Sequence, residues 1–229
     1  MRSAAFVLGL ASIAAAHPIV QSESQAAVTC VSGIYMIVAR GSNEDPGEGR
    51  LSQVTSLVKS MVPGSTSVAV DYPATIFDDG TYPVSVYEGI DDAIAKIQAY
   101  VSACGSSSKI ALLGYSQGGN VMTDALAGGV LKPAPLAETY RKNIRAVVSL
   151  ADPTYTTGQS FDKGTAAKNG IFSRGGDSLA KLNTYAGVLQ MYCAVHDAVC
   201  ASGDSIDVHL AEVSTYASAA ASFIVSKAR

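Results

Sequence analysis

Apolar residues along this chain come in two rhythms that take turns. Short runs with little polar alternation occur at GIYMIVA (33–39), SVAVDY (67–72), KIALLG (109–114), IRAVVSLAD (144–152) and GVLQMYC (187–193), all of strand length. Between them the spacing becomes that of a helix. Leu51, Val54, Leu57, Val58 and Met61 share one face of 50–62, and Ile90, Ala93, Ile94, Ile97, Tyr100 and Val101 share one face of 87–103. A further helical stretch follows the third run, from Gln117 to Ala127, and an amphipathic helix over 209–228 closes the chain. Strands that read as continuous apolar runs are buried on both faces, the condition of a parallel sheet with helices packed above and below it. The pattern predicts an α/β fold: a three-layer α/β/α sandwich around a central five-stranded parallel sheet. Such sheets hold ligands at the carboxyl ends of their strands. Residues 153–186 break the rhythm; rich in Gly, Ser, Thr and Lys, they predict a long surface excursion. No internal repeat or low-complexity linker interrupts 28–229, which therefore predicts a single domain.

Ahead of that domain the pattern differs. Arg2, an apolar stretch from Ala4 to Ala15 and the small residues Ala14-Ala15-Ala16 have the layout of a secretory signal. Residues 1–16 are expected to be that signal and 17–27 a short arm or propeptide, so the protein is expected to be secreted and extracellular. The stretch is too short to span a bilayer comfortably, and no membrane partner is expected. Secretion changes the reading of the four cysteines, Cys30, Cys104, Cys193 and Cys200, which in an oxidising compartment imply two disulfides. Cys193 and Cys200 share one loop and form the natural local pair, leaving Cys30 with Cys104. The net charge of −3 comes with no basic run, which argues against nucleic acid as a partner. The cysteines are not spaced CxxC and none of the three histidines sits in HExxH, so no metal or other cofactor is expected. A monomer is expected.

The chemistry begins where the third strand ends. Gly114-Tyr115-Ser116-Gln117-Gly118 matches G-x-S-x-G, with an apolar strand before the serine and a helical pattern after it. A serine hydroxyl is a poor nucleophile and needs a general base, which in turn needs an orienting carboxylate. On this type of sheet the chain order is nucleophile, acid, histidine. His17 lies beside the cleavage site, His196 is in CAVHDAVC, and His209 precedes the last helix. Asp197, Asp204 and Asp207 lie ahead of His209. Asp197 stands between Cys193 and Cys200, where a bridge would brace it; Asp204 is in a polar turn, and Asp207 would have to fold back on its own segment. The expected triad is Ser116, His209 and Asp197, with His196 as the rival base. An oxyanion hole is expected from the backbone N–H of Gln117 and from the loop VARGSNEDPGEG (38–49), where Ser42 is either a donor or an ordinary turn residue. Ile206 and Val208, just before His209, could wall the substrate site or merely pack beneath the last helix.

GYSQGG, VARGSNEDPG and YCAVHDAVCASG with the following VHL, together with the four cysteines, resemble the cutinase and acetylxylan-esterase family, carbohydrate esterase family five. The resemblance runs from Cys30 to the final helix. It implies a small lidless α/β-hydrolase with five parallel strands, Ser116 as nucleophile, Asp197 and His209 as its partners, Ser42 and Gln117 as oxyanion donors, and the bridges Cys30–Cys104 and Cys193–Cys200. RGSNE is similar to the cutinase form of the oxyanion loop. GYSQGG, DYPA (71–74) and the length of the 153–186 segment are more like the acetylxylan-esterase branch. The function expected is a serine ester hydrolase acting on plant cell-wall or cuticle esters, deacetylating acetylated xylan, with cutin and short-to-medium acyl esters as the alternative substrates. A catalytically silent wall-binding or host-sensed protein is the alternative from another class, and a protease is a third, since the same triad cleaves amides.

Overall fold

The computed structural model describes residues 28–76 and 80–228; the predicted signal segment and arm lie outside the described residues. Its strands are β1 (Tyr35–Ala39), β2 (Thr66–Ala69), β3 (Ile110–Tyr115), β4 (Ile144–Leu150), β5 (Asp162–Gly164) and β6 (Leu189–Cys193). They form one sheet in the order β2-β1-β3-β4-β6-β5, every neighbouring pair parallel. All residues of β3 are buried, as its unbroken apolar run requires of a strand covered on both faces. The helices are α1 (Ser52–Met61), α2 (Tyr82–Cys104), α3 (Gln117–Ala127), α4 (Gly176–Asn183) and α5 (Ile206–Ala228). α1 and α5 pack together on one face; α2 and α3 cover the other, with α4 against α3. The three-layer α/β/α sandwich expected from the sequence is therefore present.

One strand and two helix boundaries differ from the periodicity. The sheet has six described strands, not five: β5 is Asp162-Lys163-Gly164, three residues without an apolar run, held at the edge by backbone pairing to β6. α2 starts at Tyr82, with Pro83 in its first turn, where a missing N–H costs nothing. α5 starts at Ile206 and not at His209, which bears on the site below. By length and composition α5 could cross a membrane, but half of that stretch is buried inside this fold.

The 153–186 segment is not a simple surface excursion. It supplies β5 and α4, and Tyr155, Phe161, Leu182 and Tyr185 are buried in the core. Its hydroxyls and its arginine turn inward. Asp152, fully buried, accepts the N–H and hydroxyl of Thr154, both at 2.7 Å, and the hydroxyls of Ser149 and Thr123, both at 2.9 Å. Arg174 donates to Asp124 of α3 at 2.6 Å and to the Gly128 carbonyl at 3.0 Å. Buried polar groups are tolerable when paired in this way, and the network ties the segment to α3.

Both expected disulfides are present. Cys30–Cys104 joins the entry segment to the end of α2 across 74 residues, and Cys193–Cys200 closes a loop at the end of β6. The topology also places the ligand site. From β1 the chain turns one way to β2 and then returns to the other side of β1 to lay down β3. The strand order reverses between β1 and β3, and the crevice at their carboxyl ends is where an open parallel sheet binds ligands.

Candidate active site

The loop after β1 and the turn after β3 meet in that crevice. Ser116 sits between β3 and α3 with φ 53° and ψ −119°. A non-glycine residue at such a φ costs on the order of 1–3 kcal/mol and persists only where its surroundings impose it. Here the Ser116 N–H donates to the Leu150 carbonyl at 2.8 Å, and its carbonyl accepts from the Asn120 N–H at 3.2 Å as α3 begins. The flanking glycines are needed for contact. A β-carbon at Gly114 would stand 2.2 Å from the Gly118 carbonyl oxygen, and one at Gly118 would stand 2.0 Å from the Ala39 carbonyl oxygen. Both obstacles are backbone. Gly118→Ala is therefore expected to lose roughly 3 kcal/mol or more of stability, a fall of roughly 6–12 °C in melting temperature for a domain of this size. A thermal melt checks this, and an unchanged midpoint would contradict the close approach of α3 to β1.

His209 comes to Ser116 from the first turns of α5. Its Nε2 lies 2.9 Å from Ser116 Oγ, and its Nδ1 lies 2.9 and 3.1 Å from the two carboxylate oxygens of Asp197. Asp197 is fully buried. Its Oδ1 also accepts the N–H groups of Val199 at 2.6 Å and Cys200 at 2.8 Å, so the bridged loop wraps its backbone around the carboxylate. Tyr115, which the sequence reading did not single out, anchors the helix end: its hydroxyl donates to the His209 carbonyl at 3.0 Å. Burial raises that phenol, so it stays a neutral donor. The structure thus brings Ser116, His209 and Asp197 into one hydrogen-bonded line. The alternatives are elsewhere: His196 is exposed and pairs with Asp204 at 3.2 Å, and Asp207 is exposed in the first turn of α5.

Ser42 faces the same cleft as Ser116 and His209, on a loop that is tightly tied. The Arg40 guanidinium donates to the carbonyls of Tyr72 at 2.7 Å and Glu44 at 2.8 Å. Glu44 accepts the N–H of Gly41 at 2.7 Å and that of Arg50 at 3.0 Å, and the Asn43 N–H donates to Ala74 at 2.8 Å. Gln117 is fully buried; its side chain donates to the Thr75 carbonyl at 2.8 Å and accepts from the Ser85 hydroxyl at 2.9 Å. Those bonds hold the first residue of α3, whose N–H has no partner inside the helix, next to Ser116.

The cleft holds about 510 Å³. Ile206 is in its wall and Val208 is not: α5 already runs through these positions, so residues two apart point to different sides. Leu210, one turn after Ile206, takes the place expected of Val208. The lining also includes Ile76, Ile171 and Phe172, and sequence periodicity offers no signal for these loop residues. Ile76, Ile171, Ile206 and Leu210 each keep more than two-fifths of their surface exposed. A second cavity of about 620 Å³, edged by Val130 and Leu131, adjoins the cleft and shares Tyr82 and Phe172 with it.

The family model described as Cutinase matches residues 30–228. Acetylxylan esterase 2 of Talaromyces purpureogenus is 33% identical over 206 residues, covering 85% of this chain and 86% of that protein. Cutinase 11 of Verticillium dahliae is 27% identical over 238 residues, covering 99% of this chain and 77% of that protein. A solved acetylxylan esterase structure superposes with a TM-score of 0.78 at 31% identity, covering 88% of this chain and all of that one. From Cys30 to the last turn of α5, then, the chain belongs to the cutinase family of carboxylic ester hydrolases.

Proposed function

We propose that Ser116, His209 and Asp197 hydrolyse carboxylic esters through an acyl-serine. The observation that carries this reading is the unbroken line from Ser116 Oγ through His209 to the buried Asp197 carboxylate. Ser116 Oγ attacks the ester carbonyl while His209 Nε2 takes its proton, and Asp197 holds the imidazolium that forms. The tetrahedral oxyanion rests on the N–H groups of Ser42 and Gln117, which their braced loops aim before substrate arrives. Collapse passes the proton from His209 to the departing alcohol. Water, deprotonated by His209, then attacks the acyl-serine and releases the acid. The protein is a secreted, extracellular monomer in this reading, with 28–229 as one catalytic domain. Support comes from the leader-like residues 1–16 and from the two disulfides, which suit an oxidising compartment.

The substrate favoured is acetylated xylan. The sequence features GYSQGG and DYPA and the similarity to acetylxylan esterases support it. A second reading, cutin or other longer acyl esters, is favoured by the exposed apolar walls Ile76, Ile171, Ile206 and Leu210. An acyl-length series of p-nitrophenyl esters from acetyl to palmitoyl, with acetylated xylan and cutin alongside, separates them. The acetyl ester and acetylated xylan are expected to be turned over best. If the walls gripped an acyl tail instead, each added methylene would gain about 0.8 kcal/mol, up to about fourfold in kcat/KM. A rise of that kind through octanoyl would select the second reading.

A further inference from the structure

Glu212 lies one turn beyond His209 on α5 and has no part in the relay above. It is 1% exposed. Its Oε1 accepts the N–H of Ala194 at 2.5 Å and lies 3.8 Å from Sγ of Cys200. Both contacts belong to the bridged loop that carries Asp197. Cys193, Cys200 and Glu212 together have the closeness of a metal-ligand set, but the two sulfurs are bonded to each other and offer no thiolate. The second carboxyl oxygen, Oε2, is buried and receives no N–H or O–H from the described residues. The loop that Glu212 abuts carries the buried Asp197 carboxylate, whose charge acts on the Glu212 carboxyl. Two buried carboxyl groups against the same short loop resist ionising together, and at neutral pH the stable arrangement keeps a proton on one of them. Asp197 already accepts N–H groups from Val199 and Cys200 and faces His209, as an anion does. The proton therefore belongs on Glu212.

We propose that Glu212, in its neutral form, is a positioning residue that donates a hydrogen bond from Oε2 to the Asp197 carboxylate, extending the line to Glu212–Asp197–His209–Ser116. The inference rests on the triad reading. Its effect is to add a donor to the loop N–H groups that already hold the carboxylate. It also makes proton transfer from His209 to Asp197 less favourable, so the imidazolium keeps its proton for the leaving group. Because His209 and Glu212 share α5, the bond to Ala194 fixes the helix against the end of β6.

A pH dependence follows. Burial first, and the Asp197 charge after it, push the Glu212 carboxyl up to about 8, against the lowering effect of the Ala194 N–H. Tyr115 of β3, Tyr155 beyond β4 and Tyr216 of α5 also sense Glu212, and burial raises all three, so they stay neutral throughout. A raised carboxyl stabilises the fold fully below its ordinary value of 4.5, and that contribution is lost as pH rises through about 8. The donor to Asp197 disappears over the upper part of that range.

The test is the hydrolysis of p-nitrophenyl acetate by the wild type, Glu212→Gln, Glu212→Ala and Ser116→Ala between about pH 7 and about pH 9. Glutamine keeps an acceptor for Ala194 and an N–H donor for Asp197, and it cannot ionise. It is expected to stay within about threefold of wild-type kcat at neutral pH and to hold that rate as the pH rises, where the wild type declines. Alanine is expected to lower kcat about ten- to a hundredfold with little change in KM. The proposal is overturned if glutamine falls as far as alanine, or if glutamine and the wild type follow the same alkaline course. Should the alanine variant fail to fold, the comparison of glutamine with the wild type decides alone. Activity surviving in Ser116→Ala would sink the triad reading itself, whereas its loss there, with Glu212→Gln and the wild type following the same alkaline course, would sink only this inference.

Discussion

Replacing Ser116 with alanine is expected to lower the hydrolysis of p-nitrophenyl acetate by about four orders of magnitude or more. The loss is expected in kcat, because Oγ is the atom proposed to form the bond to the acyl carbon. The cleft walls and the proposed oxyanion donors do not depend on that oxygen, so KM should move little. What remains would be the rate that those donors and binding alone give to attack by water. The fold is expected to persist. The backbone bonds that impose the Ser116 conformation, from its N–H to Leu150 and to its carbonyl from Asn120, involve no side-chain oxygen. A β-carbon is already present at this position, so alanine inherits the same positive φ without a new clash. Steady-state kinetics beside a thermal melt checks both halves. A variant that folds and keeps more than about a tenth of wild-type activity would contradict Ser116 as the nucleophile.

How much of this site could be read from residues alone depended on whether a pattern carries geometry. The G-x-S-x-G spacing did so, because the sharp turn that carries Ser116 leaves no room for β-carbons at Gly114 and Gly118. His209 was legible through scarcity and chain order, and Asp197 because a braced loop suits an orienting carboxylate. The two expectations for Ile206 and Val208 divide between them: α5 begins at Ile206, so its helical period puts Leu210 and not Val208 beside Ile206 in the cleft wall. Residues 153–186 were misread for a different reason. Gly, Ser and Thr usually mark solvent-facing loops, but here Thr154 and Arg174 satisfy buried carboxylates. Strand β5 joins the sheet through backbone pairing to β6, and no side-chain pattern announces such a strand. Glu212 looks like any polar residue on an amphipathic helix, and its burial follows only from the meeting of α5 with the bridged loop.

Replacing Asp197 with asparagine is expected to lower kcat by about 10³–10⁴-fold while leaving the fold in place, and the reason is a proton on the wrong nitrogen. The amide that replaces the carboxylate has one acceptor and one donor end. Its environment is not symmetrical: the N–H groups of Val199 and Cys200 both point at Oδ1, at 2.6 and 2.8 Å. An NH2 placed there would meet two donors, so the amide oxygen takes that position and the NH2 turns toward His209. Nδ1 must then accept, which puts the ring proton on Nε2, the atom facing Ser116 Oγ at 2.9 Å. A protonated Nε2 cannot take the serine proton. The geometry survives, the base does not, and no loss of packing is needed to explain the fall. The check is kcat/KM on p-nitrophenyl acetate for Asp197→Asn, with a melting curve to show that the loop is intact. A loss smaller than about tenfold in a folded variant would mean that the carboxylate does not set the tautomer of His209, and Asp197 would lose its place in the triad.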